Sequence, residues 1–98
     1  MDKDAIIARL RANEASLRSR GVTHAALFGS RARGDNRPDS DIDILIDFDP
    51  EAVEDVYAYA GLKLYVASLF DGPVDVVNRR GLKPAVRPTA TGDALYAF

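Results

Sequence analysis

"ALFGSRARGDNRPDSDIDILIDFD", residues 26–49, decides how the rest of the chain is read. It runs from a short apolar segment through Gly-Ser and Arg31, Arg33 and Arg37 into aspartates that alternate with aliphatics. Asp41 and Asp43 stand in what otherwise reads as a hydrophobic strand, where aspartate is disfavoured. A buried carboxylate is costly unless something pairs with it. The pattern therefore requires something positive at this point.

The flanks supply a frame. Residues 4–19 carry Ile6, Ile7, Leu10 and Leu17 at helical spacing, with arginines between, and Gly21 is a plausible C′ stop. Residues 22–28 read as a strand, "GSRARG" (29–34) as a turn opening a short helix, and "DNRPDS" (35–40) as a loop. Residues 41–48 alternate with period two, with Ile42, Ile44 and Ile46 on one side and Asp41 and Asp43 on the other. Pro50 marks the first turn of a helix predicted to reach Leu69, with Asp49 as its N-cap. On that helix Val53, Val56, Tyr57, Ala60 and Leu64 are expected to cover the sheet. The surplus apolar residues, Tyr59, Leu62, Tyr65 and Val66 with Leu69, would be core in a larger protein and are expected in a chain this small to offer a partner surface equally well. "DGP" (71–73) ends the helix, and "VDVVN" (74–78) reads as another strand. Arg79–Ala90 is a weak segment with two prolines, and "ALYAF" (94–98) a last short edge strand.

The long helical connection favours parallel pairing of the second and third strands. The connection between the first two permits either direction. If that pair is antiparallel, Asp41, Asp43 and Asp75 converge with the Gly29–Ser30 turn at one end of one sheet. The expected fold class is therefore α/β (α+β): a small mixed sheet with helices on one face.

Composition narrows the function. A chain of 98 residues suits a single domain, 1–98, without room for a second core. A formal charge of −2 lacks the footprint of a nucleic-acid-coating protein, so no direct nucleic-acid binding is expected. No cysteine is present, which excludes disulfides and thiolate chemistry. The amino terminus lacks the apolar stretch of a signal peptide and no apolar run approaches a membrane span, so a soluble, cytoplasmic protein is expected.

Clustered carboxylates repel one another and ionise together only with a cation. Oxygen-only ligands favour Mg²⁺ or Mn²⁺ over zinc. Gly29 lets a phosphate approach the backbone, and Ser30 offers a hydroxyl and an amide. In-line displacement supported by two metals, with pyrophosphate leaving, fits these parts, which suggest nucleotidyl transfer. Arg31 and Arg33 serve either as triphosphate contacts or as structural counter-charges. Asp47 and Asp49 read as solvated or capping residues, His24 as an ordinary strand residue, and Arg79 and Arg80 as surface charges. "DSDID" fails as an EF-hand, because Ile44 stands where Gly is needed and Pro50 where Glu is needed. "GSRARG" is neither a dinucleotide fingerprint nor a P-loop.

"GSRARG" followed by "SDIDILI" resembles the G-S-x-A-R-G…S-D-x-D pattern of the DNA polymerase β-like nucleotidyltransferases, and the later "VDVV" and "ALYAF" resemble their minimal (MNT) branch. The resemblance implies the polymerase β-like fold, with Gly29 and Ser30 in the phosphate-binding turn. It makes Asp41 and Asp43 the metal-binding pair and Asp75 the third catalytic carboxylate. It further implies Mg²⁺ (or Mn²⁺), ATP as substrate, and a HEPN-type toxin partner to whose tyrosine AMP is transferred, in an assembly with that partner or with further copies of the chain. The competing reading is a binding module that neutralises the partner by contact alone.

Overall fold

The period-two alternation of residues 42–48 has a direct structural consequence. β2 (Ile42–Phe48) turns Ile42, Ile44 and Ile46 into a core and its aspartates to the opposite face. β1 (Val22–Phe28) pairs with it antiparallel, from Val22 opposite Phe48 to Phe28 opposite Asp43, with an irregularity between Val22 and His24. β3 (Val74–Asn78) pairs with its other edge in parallel, from Ile42 opposite Val74 to Ile46 opposite Asn78. β4 (Leu95–Tyr96) adds an antiparallel strand beside β1, giving a four-stranded mixed sheet in the order β3-β2-β1-β4. The computed structural model describes residues 1–79, 92 and 94–98. Apart from Arg79, the segment 79–90 read as weak in the sequence lies outside the described residues.

The amino-terminal helix is two helices. α1 (Lys3–Ala12) starts where the Asp2 side chain accepts from the Ala5 N–H at 2.8 Å, and α2 (Glu14–Ser19) follows after a break at Asn13. Asn13 turns its own side chain back to the Arg9 carbonyl at 2.9 Å, the local competition that makes asparagine a poor helix-interior residue. Gly21 ends the run at φ 101°, and a Cβ there would lie 2.8 Å from the Ala52 Cβ. A short α3 (Ser30–Arg33) follows β1 directly.

α4 (Val56–Ser68) departs furthest from expectation. It starts later than Pro50, capped by Asp55, whose carboxylate accepts from the Ala58 N–H at 2.7 Å. Asp49 instead organises the preceding turn, accepting from the Glu51 N–H at 2.9 Å. The helix also lies the other way up. Leu62 and Val66, expected on a partner surface, are 4% and 0% exposed in the core, while Leu64, expected to cover the sheet, is 73% exposed. Val56, Tyr57 and Ala60 are exposed as well; of the expected covering set only Val53 is buried. Tyr59 and Tyr65 are half-buried against the core, Tyr59 beside the Phe48 ring and Tyr65 sharing a 2.6 Å hydrogen bond with Ser16. The partner surface of Tyr59, Leu62, Tyr65 and Val66 is thus core, and the free apolar face is Val56, Tyr57 and Leu64. Apolar residues surround this helix, so periodicity alone cannot pick its buried side.

Ile6, Leu10 and Leu17 from α1 and α2 join Leu62 and Val66 from α4 in one cluster with Leu27, Ile42, Ile44, Ile46 and Val76. These three helices therefore cover one face of the sheet and leave the aspartate face clear of them. No helix among the described residues is long and apolar enough to cross a membrane.

The orientation of α4 makes a sharp prediction. Leu62→Ala should destabilise the fold by about 2–4 kcal/mol, in the range for truncating a buried leucine, whereas Leu64→Ala should stay within about 0.5 kcal/mol. Urea unfolding of the two variants reads both numbers. The reverse ranking would mean that α4 buries the opposite face.

Candidate active site

Three strands meet on the aspartate face at one rung. Phe28, the last residue of β1, stands opposite Asp43, and Asp43 stands opposite Asp75 on β3. Neighbouring strands run about 4.8 Å apart, so the carboxylates of Asp43 and Asp75 occupy adjacent places. Asp41 lies two residues before Asp43 on the same face. Asp41 and Asp75 are exposed and Asp43 is half-buried between them.

Gly29 closes the other side of Asp43. It adopts φ 77°, ψ −154°, and the space a Cβ would fill is taken by the Asp43 carboxylate, whose Cγ would lie only 3.1 Å away. Only glycine lets the turn pass this close. Ser30 follows as the first residue of α3, whose turns close through Arg33 N–H to Gly29 C=O (3.1 Å) and Gly34 N–H to Ser30 C=O (2.9 Å). Gly29, Ser30, Asp41, Asp43 and Asp75 thus come together in one patch.

The arginines play unequal parts. Arg31 is tied into the scaffold, donating to the Ser40 carbonyl at 2.8 Å and the Met1 carbonyl at 3.2 Å. Its Nε is buried with no hydrogen-bond partner among the described residues. Arg33 pairs with Asp35 at 3.1 Å. Both cations lie near enough to act on Asp43 through space, yet they lose. Burial first, then the charges of Asp75 and Asp41, hold the Asp43 carboxyl above the usual carboxylate range against the opposing pull of Arg31 and Arg33. Among the described residues, burial and the neighbouring carboxylates thus outweigh the two arginines at Asp43.

Among the described residues, no group of three carboxylate, imidazole or thiolate side chains makes a ready-made metal cage. The open arrangement fits Mg²⁺ or Mn²⁺ all the same. Mg²⁺ uses one or two carboxylates and completes its shell with water and substrate phosphates, and a cation would relieve the repulsion that Asp43 feels. Asp43 with Asp41 and Asp75 would hold it.

Other sequence-marked residues lie elsewhere. Asp47, read as solvated or capping, pairs with Arg79 at 3.1 Å. His24 is exposed, edge-on to Tyr96. Arg80 is outside the described residues. Two residues beside the patch were not singled out in the sequence. Ser40 holds the loop through its carbonyl to Arg31 and its hydroxyl to the Arg37 N–H at 2.9 Å, and its place just before D-x-D was the signal. Lys63 lines a cleft with Asp75, and its being the single charged residue of α4 could have drawn attention to it.

The Nucleotidyltransferase domain family matches residues 10–97 of the chain. The protein adenylyltransferase MntA of Thermococcus cleftensis is 35% identical over 88 residues, which span 89% of this chain and 87% of that protein. Among solved structures, a candidate minimal nucleotidyltransferase superposes with TM-score 0.77 at 35% identity, covering 97% of this chain and 95% of the other. A toxin–antitoxin crystallised with AMP-PNP superposes with TM-score 0.67 at 26% identity, covering 100% of this chain and 73% of the other. The fold is that of the minimal nucleotidyltransferases, as the resemblance of "GSRARG…SDIDILI" implies.

Two substitutions test the electrostatics. A group whose carboxyl is raised on folding costs stability once it ionises, so the cost is absent at low pH and grows as pH rises through its titration. Asp43→Asn should therefore raise the Tm of the metal-free protein at pH 7, with the gain vanishing near pH about 3. Gly29→Ala should lower Tm at both pH values, because it forces a Cβ into the Asp43 carboxylate at a positive φ. Differential scanning calorimetry at the two pH values separates the effects, and an Asp43→Asn variant less stable at pH 7 would contradict the charge assignment.

Proposed function

Because the chain belongs to the Nucleotidyltransferase domain family and is a nucleotidyltransferase, we propose that it transfers AMP from ATP to a HEPN-type toxin and so acts as that toxin's antitoxin. The single observation that carries the reading is the rung on which Asp43 meets Asp75 on one side and Gly29 on the other. The similarity to a protein adenylyltransferase and to a toxin–antitoxin holding an ATP analogue supports the nucleotide and the class of acceptor. Residues 1–98 act as one minimal domain in the cytoplasm, without direct nucleic-acid contact.

Each residue then has a task. The Gly29–Ser30 turn brings the triphosphate against backbone and hydroxyl donors without a side chain between. Asp41 and Asp43 would hold the divalent cation. A bound divalent cation would supply charge neutralisation of the phosphates and of the leaving pyrophosphate. Asp75 accepts the proton of the attacking hydroxyl as its oxygen bonds to the α-phosphorus and the bond to the β-phosphate oxygen breaks. Arg31, fixed by the Ser40 and Met1 carbonyls, and Arg33 balance charge once the triphosphate arrives.

The decisive experiment co-expresses the chain with the HEPN-type protein and weighs the partner by mass spectrometry. The wild type should add nucleotidyl units, and Asp41→Asn/Asp43→Asn should lower that rate by about two orders of magnitude or more, with much of the protection lost. A partner left unmodified by the wild type and neutralised equally by the double variant would establish inhibition by contact instead.

A further inference from the structure

A cleft of about 400 Å³ runs between α4 and β3 and ends at the candidate site. Ala60, Lys63, Leu64 and Ala67 form its helical wall, and Val74, Asp75 and Val76 form the other. Consecutive strand residues point to opposite faces of a sheet. A cleft that touches three in a row therefore follows the edge of β3, and among the described residues β3 is the outermost strand of the sheet on that side.

The backbone along this edge has a defined polarity. The Pro73 carbonyl accepts from the Ile42 N–H of β2 at 3.0 Å, so odd-numbered residues of this stretch direct their backbone groups inward. Alternation turns the N–H and C=O of Val74 and Val76 outward into the cleft. Asn78, next in the outward series, meets the Tyr59 hydroxyl with its backbone. The edge is thus covered by α4 at Asn78, and among the described residues no strand pairs with it at Val74 and Val76. Beside those groups, exposed Leu64 and two alanines make an apolar wall, with Lys63 its one cation among the described residues.

Building on the proposed function, we infer that this edge cleft is the acceptor-docking site: an extended, hydroxyl-bearing segment of the protein substrate adds to β3 as a strand. The cleft shares Asp75 with the site, so a segment lying in it brings a side chain to the residue that takes the hydroxyl proton. Strand addition supplies affinity through the backbone of Val74 and Val76, and side chains on alternate positions supply selectivity. One face of the added segment meets Leu64, Ala60 and Ala67 and is apolar. The charge of Lys63 selects an acidic residue near the acceptor hydroxyl.

The test uses the full chain, its HEPN-type partner and ATP with Mg²⁺. Leu64→Glu and Lys63→Glu, both at exposed positions away from the phosphate turn, should keep ATP affinity within about twofold by calorimetry and slow partner adenylylation by about tenfold or more. Hydrogen exchange at the Val76 amide should slow by about tenfold or more on adding partner to the wild type, and not on adding it to Leu64→Glu. Unchanged adenylylation in both variants, or a Val76 amide that the partner never protects, would overturn strand addition at this edge and leave the proposed function standing. A wild-type chain that binds ATP and modifies no partner would overturn the two together, which separates the failures.

Discussion

Asp43 has almost no freedom in this structure, and much of the rest depends on that. Its strand is central in the group β3-β2-β1, its side chain faces away from the Ile42–Ile44–Ile46 core, and Gly29 comes close enough that a Cβ there would collide with its carboxylate. Across the other edge lies Asp75. The antiparallel pairing of β1 puts a chain reversal beside it, and the parallel pairing of β3 puts a strand beginning there. The mixed sheet therefore gathers backbone turn and carboxylates at one end, where neither an all-parallel nor an all-antiparallel sheet of these strands would bring the same ends together.

The same strand order gives the site direction. The Gly29–Ser30 turn belongs to the β1 side of Asp43, and Asp75 with its cleft belongs to the β3 side. Under the proposed function, a nucleotide held over Gly29–Ser30 and an acceptor docked along β3 would approach from opposite sides. In-line displacement requires that separation, because the attacking and leaving oxygens stand roughly opposite each other across phosphorus. The helices are out of the way. α1, α2 and α4 bury Ile6, Leu10, Leu17, Leu62 and Val66 against the other face, so the carboxylate patch sits on the sheet without interrupting the core.

Strands and site geometry were legible in the sequence because their signals are local and redundant. Period-two alternation over 42–48 sets both the strand and which side each residue takes, and Gly29 before Ser30 places the turn. The third strand and the edge strand at 94–98 followed from composition and spacing. α4 was misread for the complementary reason. Its sides are all apolar, so the burying face is decided by tertiary neighbours: Phe48 beneath Tyr59, Ser16 bonded to Tyr65, and the core that receives Leu62 and Val66. Its start was misplaced because Asp49 was read as its cap, whereas Asp49 organises a turn and Asp55, which the sequence reading passed over, caps the helix. The break at Asn13, where the side chain bonds back to the Arg9 carbonyl, interrupts an otherwise continuous helical pattern.

Asp47 and Asp43, on the same face of the same strand, are carboxylates in opposite electrostatic settings. Asp47 has its own cation, with Arg79 at 3.1 Å, and its side chain is only 12% exposed. A local counter-ion of this kind is the ordinary way to tolerate a charge in a sheet. Asp43 has no ion pair among the described residues; its neighbours in charge are two more carboxylates, with Arg31 tied to carbonyls and Arg33 to Asp35. A sheet selected for stability alone would neutralise Asp43 as it neutralises Asp47, or replace it with another isoleucine. Retaining the charge, and spending a glycine at a positive φ to keep space beside it, is intelligible if the missing positive charge arrives with a metal and its nucleotide.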